Sequence, residues 1–213
     1  MLVASVRLAT SPIRLYLITD RIGTGGRSLL DVVTAALRGG VDAVQLREKD
    51  LAARELAELA RSLLPLCRQY GARLLINDRV DVALAVEADG VHLPSSSFTC
   101  SDARRLLGDR LIGVSTHSVA EVETAARQDA DFVVLGPIYA TPSKAAFGPP
   151  LGTAVLAEAA RRVSIPVLAI GGIDTERLRE VRQTQAAGVA VVRAICSARD
   201  PKAAAAQLRA ELT

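Results

Sequence analysis

Several short stretches of this chain place polar or charged side chains directly after apolar runs. Gln45-Leu46-Arg47-Glu48-Lys49 follows Ala43-Val44. Alternation along an extended chain sends Gln45, Arg47 and Lys49 one way and Leu46 and Glu48 the other. Two cations and an amide facing one direction suit a phosphate or diphosphate. Asn77 and Asp78 close the run Leu74-Leu75-Ile76. An amide beside a carboxylate can hold hydrated Mg2+ against a diphosphate, although such a pair also serves as a turn or a helix cap. Gly113-Val114-Ser115-Thr116-His117 ends in one of only two histidines in the chain, and a histidine at the rim of a site can move protons near neutral pH. The other histidine, His92, sits inside an apolar run and reads as an interior or supporting group. The Gly- and Pro-rich stretch LGPIYATPSKAAFGPPLG offers Thr141, Ser143 and Lys144 as anion ligands, and its length suits a lid. Gly171-Gly172 and Val192-Arg193 follow two further apolar runs, where backbone N–H groups and a helix start can take a phosphate.

The elements that must position these residues repeat along the chain. Strand-like runs are expected at Leu15–Asp20, Asp42–Glu48, Arg73–Asp78, Gly90–Leu93, Leu111–Thr116, Phe132–Pro137, Val167–Gly172 and Gly188–Ile195. Segments with apolar residues at helical spacing separate them. Gly71 is placed to end the longest helix, Ser118 and Glu121 have capping-box spacing, and Asp174 is placed to cap the segment after it. Eight βα units of roughly 25 residues each fit a (β/α)8 TIM barrel, near the lower size limit of that fold. A doubly wound sheet would carry a Gly-rich dinucleotide turn after the first strand, and LITDRIGTGGRS lacks that glycine order. The barrel predicts that functional residues gather at the C-terminal ends of the strands.

Bulk composition agrees with buried parallel strands. Of 213 residues, 50% are hydrophobic but only 3% aromatic, so Ala, Val, Leu and Ile fill the core. The net charge of +3 comes without a basic run, which argues against a nucleic-acid partner. Three scattered cysteines, Cys67, Cys100 and Cys196, point to neither a disulfide framework nor a zinc site. No apolar run approaches a membrane span, and a cytoplasmic protein is the expectation.

Taken in order, LYLITD, VQLREKD, LLINDRVDVALAVEADGVHL, LIGVSTHS, VVLGPIYATPSK, IPVLAIGGI and GVAVVRAI resemble the thiamine-phosphate synthase family over nearly the whole chain. The resemblance implies a single TIM-barrel domain over 1–213 and an enzyme of thiamine biosynthesis. Synthase members join a hydroxymethylpyrimidine diphosphate to a thiazole phosphate. It further implies that Gln45, Arg47, Lys49, Asn77, Ser115 and Lys144 bind the pyrimidine diphosphate and that Asp78 ligates Mg2+. Thr141, Ser143, Gly171, Gly172, Val192 and Arg193 match the thiazole-phosphate site. The family usually has threonine at the Ser143 position and serine at the Arg193 position. At Ser97 it usually has an aspartate, the second Mg2+ ligand.

The wording LPSSSF around Ser97 is similar instead to the TenI-like branch, whose characterised members aromatise a thiazole phosphate carboxylate without a metal. That tips the expected reaction toward a thiazole tautomerase with His117 as the proton-transfer group and no cofactor. The alternative is a thiamine-phosphate synthase using Mg2+ at Asp78. His117 and Lys49 are the expected catalytic groups. The partners are a phosphorylated thiazole and, in the synthase reading, a pyrimidine diphosphate, with a homodimer left open. A non-catalytic regulatory binder is the third reading, but nothing resembles a DNA-reading helix.

Overall fold

The computed structural model describes residues 12–141 and 149–212. Strands β1 (Leu15–Ile18), β2 (Ala43–Leu46), β3 (Arg73–Asn77), β4 (Gly90–Leu93), β5 (Leu111–Thr116), β6 (Phe132–Leu135), β7 (Val167–Ile170) and β8 (Gly188–Val191) pair in parallel, each with the next, and β8 returns to β1. The helices between them are α1 (Leu29–Arg38), α2 (Ala53–Gln69), α3 (Val80–Ala85), α4 (Cys100–Leu107), α5 (Val119–Arg127), α6 (Gly152–Arg162) and α7 (Thr175–Arg182). The short α8 (Arg193–Cys196) and then α9 (Pro201–Glu211) follow the last strand. This is the expected (β/α)8 barrel.

Period-two alternation divides the strand side chains between two cores. Tyr16, Ala43, Leu75, Phe132, Val134, Leu168 and Ala190 fill the barrel interior. Leu15, Leu17, Val44, Leu46, Leu74, Ile76 and their counterparts face the helices and pack on residues such as Leu63, Ala83 and Leu178. Both faces of every strand are therefore covered, as parallel sheets require.

Sequence signals at the helix ends also have their expected partners. Ser118 caps α5 by accepting from the Glu121 amide, while the Glu121 carboxylate accepts from the His117 amide. Asp174 caps α7 through the Arg177 amide at 2.9 Å. Gly71, with φ +68°, follows the end of α2.

The strands stop earlier than the apolar runs suggest. β2 ends at Leu46, so Arg47 to Lys49 belong to the loop beyond it. β8 ends at Val191, and the expected strand over Gly188–Ile195 turns at Val192 into α8. Hydrophobicity alone does not distinguish a buried strand from the buried turn that continues it.

The N-terminal face of the barrel is stitched by three carboxylates. Asp42, Asp89 and Asp131 precede β2, β4 and β6. Each accepts the strand amide opposite it: Leu15 at 2.8 Å, Leu74 at 2.7 Å and Ile112 at 2.7 Å. Each donates its own amide to the carbonyl of that same residue, at 3.0, 3.0 and 2.9 Å. No aspartate precedes β8. There α9 packs along α1, and a Cβ on Gly39 would sit 2.5 Å from the Lys202 carbonyl oxygen. Arg209 of α9 reaches Asp42 at 2.6 Å, and the Arg14 guanidinium donates to the Leu212 carbonyl at 3.0 Å.

All three cysteines are buried and free. Burial pushes the Cys67 thiol up to about 12 and the Cys196 thiol up to about 11, which keeps both protonated and unreactive near neutral pH. Among the described residues, no helix is long and apolar enough to cross a membrane.

Candidate active site at the C-terminal barrel mouth

The C-terminal strand ends bring together residues that lie far apart in the chain. Interior positions near this end include Gln45 of β2, Asn77 of β3, His92 of β4 and Ser115 of β5, with the partly buried apolar Ile170 and Val192 on the opposite side. The mouth therefore has a polar half and an apolar half, an arrangement suited to a ligand with an anionic end and a flat ring.

Gln45 is 1% exposed and donates its amide to the Tyr16 hydroxyl at 3.2 Å. It lies beneath the mouth rather than beside Arg47 and Lys49, which are exposed on the loop. The expected alternation does continue past the strand, because Glu48 between them is buried at 6% exposure. Glu48 accepts from the Thr19 hydroxyl at 2.6 Å and from the Arg21 amide at 3.2 Å. Thr19 in turn accepts from the Arg47 amide at 2.9 Å. This clamp fixes the backbone that carries the two cations. Burial is the main influence on the Glu48 carboxyl and raises it above the usual range, against the hydrogen bonds that favour its charge.

Asp78 adopts a left-handed backbone, φ +64°, a conformation Asp tolerates better than most residues. Its amide donates to the His92 carbonyl at 2.9 Å, and its exposed carboxylate accepts from the Ser97 hydroxyl. The cap of α3 is Arg79, without a side-chain cap bond, so Asp78 is not that helix's cap. Among the described residues no group of three or more His, Cys, Asp or Glu side chains is arranged to hold a metal. Asp78 supplies one carboxylate and Ser97 a hydroxyl beside it. That donor set fits Mg2+ only where diphosphate oxygens and water complete the octahedron, a common way for this ion to be held.

His117 is exposed at the end of β5, and its Nδ1 meets the Gly136 carbonyl at 2.6 Å. A carbonyl can only accept, so Nδ1 carries the proton in this contact. His92 is different: it is 2% exposed, with Nε2 2.9 Å from the Ser115 Oγ and Nδ1 3.4 Å from the Tyr16 Oη.

The remaining candidates surround the loop after β6. Its ends are pinned by bonds from the Ile138 amide to the Ile170 carbonyl at 2.8 Å and from the Gly152 amide to the Ile138 carbonyl at 3.0 Å. Thr141 accepts from the Arg193 guanidinium at 3.2 Å, so Arg193 reaches back to this loop from the end of β8. Ser143 and Lys144 lie outside the described residues. Gly171 and Gly172 have φ of +102° and +65°. A Cβ on Gly171 would meet Pro137 at 2.7 Å, and one on Gly172 the Ala140 carbonyl oxygen at 2.8 Å. The two glycines are thus required by the close approach of the neighbouring loop itself.

Sequence reading did not single out Tyr16, Thr19 or Glu48. The available signal was burial: a tyrosine and a threonine in the first apolar run, and the acidic residue between two outward cations.

Comparison with known proteins agrees with this geometry. A sequence profile described as thiamine monophosphate synthase matches residues 15–195. A Geobacter sulfurreducens relative is 54% identical over 199 residues, covering 93% of each chain. The thiamine-phosphate synthase of Roseiflexus castenholzii is 49% identical over 190 residues, covering 89% of this chain and 83% of its own. The solved thiamine phosphate pyrophosphorylase of Pyrococcus furiosus superposes with a TM-score of 0.87 at 36% identity, over 94% of this chain and 95% of that one. These relatives carry synthase or pyrophosphorylase names, which supports the synthase alternative over the tautomerase preference drawn from LPSSSF.

Proposed function

The chain belongs to the thiamine-phosphate synthase family, and from that premise we propose that it joins a hydroxymethylpyrimidine diphosphate to a thiazole phosphate. In this reaction the bond from the pyrimidine methylene carbon to the diphosphate oxygen breaks. The thiazole nitrogen forms its bond to that carbon, giving thiamine phosphate and free diphosphate. Negative charge grows on the leaving diphosphate, so the residues that matter most are cations and hydrogen-bond donors held in place before the bond breaks.

The observation that carries this reading is the polar half of the mouth. Arg47 and Lys49 sit on the clamped loop after β2, Asn77 ends β3 and Ser115 lies on β5. Arg47, Lys49, Asn77 and Ser115 receive the diphosphate, with Lys144 added from the loop after β6. Asp78 would hold Mg2+ on the diphosphate oxygens, where the ion supplies charge neutralisation of the leaving group. Thr141, Ser143, the Gly171-Gly172 turn and Val192-Arg193 receive the thiazole phosphate, and Ile170 and Val192 give the rings an apolar wall.

Purified protein given both substrates and Mg2+ is expected to release thiamine phosphate and diphosphate. Arg47→Ala and Asp78→Ala should each lower kcat/KM by roughly a hundredfold. No product above background from the unaltered protein would sink the reading. The exposed place of His117 at the end of β5 keeps one second reaction in view, the aromatisation of a carboxylated dihydrothiazole phosphate. Turnover of that substrate that is insensitive to EDTA and abolished by His117→Ala would put the tautomerase in place of the synthase.

A further inference from the structure

Beneath the mouth, four side chains from four strands make a continuous hydrogen-bonded chain. Gln45 of β2 meets Tyr16 of β1, Tyr16 meets His92 of β4, and His92 meets Ser115 of β5. The first three are all at most 2% exposed. Phe132 packs edge-on to Tyr16, with centroids 5.5 Å apart and planes at 83°, and lies 6.0 Å from the His92 ring. Nothing in the proposed reaction uses Tyr16 or His92 directly.

The direction of this chain follows from what each group can donate. The Gln45 amide nitrogen can only donate, so Tyr16 Oη accepts from it. Suppose His92 also donated, from Nδ1, to Tyr16. The tyrosine hydrogen would then have two donors as neighbours and no acceptor in an apolar interior, a costly arrangement. The chain therefore runs the other way: Tyr16 donates to Nδ1 of His92, and Nε2–H donates to Ser115 Oγ. The Ser115 hydrogen is then left for the mouth. Burial first, and the Arg47 charge second, keep the imidazole neutral, consistent with one ring nitrogen donating and the other accepting.

We propose that Tyr16 and His92 are positioning residues that hold Ser115 with its hydroxyl hydrogen aimed into the mouth as an anion donor. The proposal deepens the synthase reading, because it takes Ser115 to face the diphosphate there. Gln45 sets the polarity, Tyr16 passes it on and His92 delivers it 2.9 Å from the serine oxygen. A hydroxyl fixed in this way needs no reorientation when charge develops on the ligand. A free serine rotor would first have to be ordered.

The two histidines allow a direct test. His92 should be the Nε2–H tautomer and His117, in its neutral form, the Nδ1–H tautomer, so 15N-edited spectra of the intact protein recorded at alkaline pH should show two rings of opposite type. In Tyr16→Phe the donor to Nδ1 is lost, and His92 should lose its single tautomer. Inorganic diphosphate is the binding probe, measured by calorimetry with folding of each variant checked by circular dichroism. His92→Leu should bind it about tenfold more weakly than the unaltered protein. His92→Gln, whose amide can still donate toward Ser115, should recover most of that loss. An Nδ1–H tautomer at His92, or folded His92→Leu with unchanged affinity, overturns the proposal. Equal losses in His92→Gln and His92→Leu overturn it too, by making the ring a core filler. Unaltered protein that does not bind diphosphate removes the anion site of the synthase reading itself. The 15N spectrum distinguishes that failure from a failure of the chain alone.

Discussion

Burial and the nearby Arg47 charge together hold the His92 imidazole down to about 3, against an ordinary value of 6.5. The unfolded chain would take up a proton in the interval between those values and the folded one would not. Unfolding is then proton-consuming there, and the stability contributed by neutral His92 is present above about pH 6.5 and lost as pH falls toward 3. Acid denaturation profiles should show a decline over that interval on the order of a few kcal/mol, with the same interval flatter in His92→Gln. An identical slope in both would mean that His92 is not the responsible group. The histidine's interior placement is legible in the sequence, since Gly90-Val91-His92-Leu93 is an apolar run. Its partners are not, because Tyr16 lies 76 positions away and only the closing of the barrel brings the rings together. Glu48 shows the same limit. Alternation separates it correctly from Arg47 and Lys49, but its burial against Thr19 depends on β1 lying beside β2.

At the scale of elements, β5 shows how one missing side chain creates space for another. Gly113 faces the barrel interior, where an added Cβ would sit 2.3 Å from the Phe132 ring and 2.8 Å from Nδ1 of His92. Gly113→Ala should therefore destabilise the protein by about 1–3 kcal/mol, read as a lower midpoint in urea with an unchanged slope. It should also weaken diphosphate binding, because His92, one of the two rings that must yield, is the one touching Ser115. Loss of stability without loss of affinity would separate the two effects. Strand and helix order, the caps at Ser118 and Asp174 and the stop at Gly71 are all legible in residue types and spacing. The ends of β2 and β8 are not. Apolar residues continue beyond the last ladder bond in both places, and in Val192 to Cys196 they pack as a helical turn. Arg193 thereby points its guanidinium back to Thr141, a contact no periodicity announces. At Ser97 the loop sequence is legible as a departure from the family's aspartate. Its donation to Asp78 emerges only where β3 and β4 run side by side.

The whole molecule separates chemistry from cohesion along the barrel axis. Asp42, Asp89 and Asp131 hold strand starts at one end, and the candidate site occupies the other. Asp89→Ala leaves the buried Leu74 amide without its carboxylate and should cost about 1–3 kcal/mol of stability. Diphosphate affinity should be unchanged, and a parallel loss of affinity would show that the two ends are coupled. The repeated aspartates are visible in the sequence, each before a short apolar run. Their shared task appears only once the strands are in register. The seam between β8 and β1 lacks such an aspartate and relies on α9, through Gly39, Asp42 and the Leu212 carbonyl. During synthesis the ring consequently stays unlatched until residues 201–212 have cleared the ribosome. Up to that moment β1 offers an open edge to any extended chain nearby, which makes the interval between the emergence of β8 and that of α9 the one of greatest exposure to mispairing.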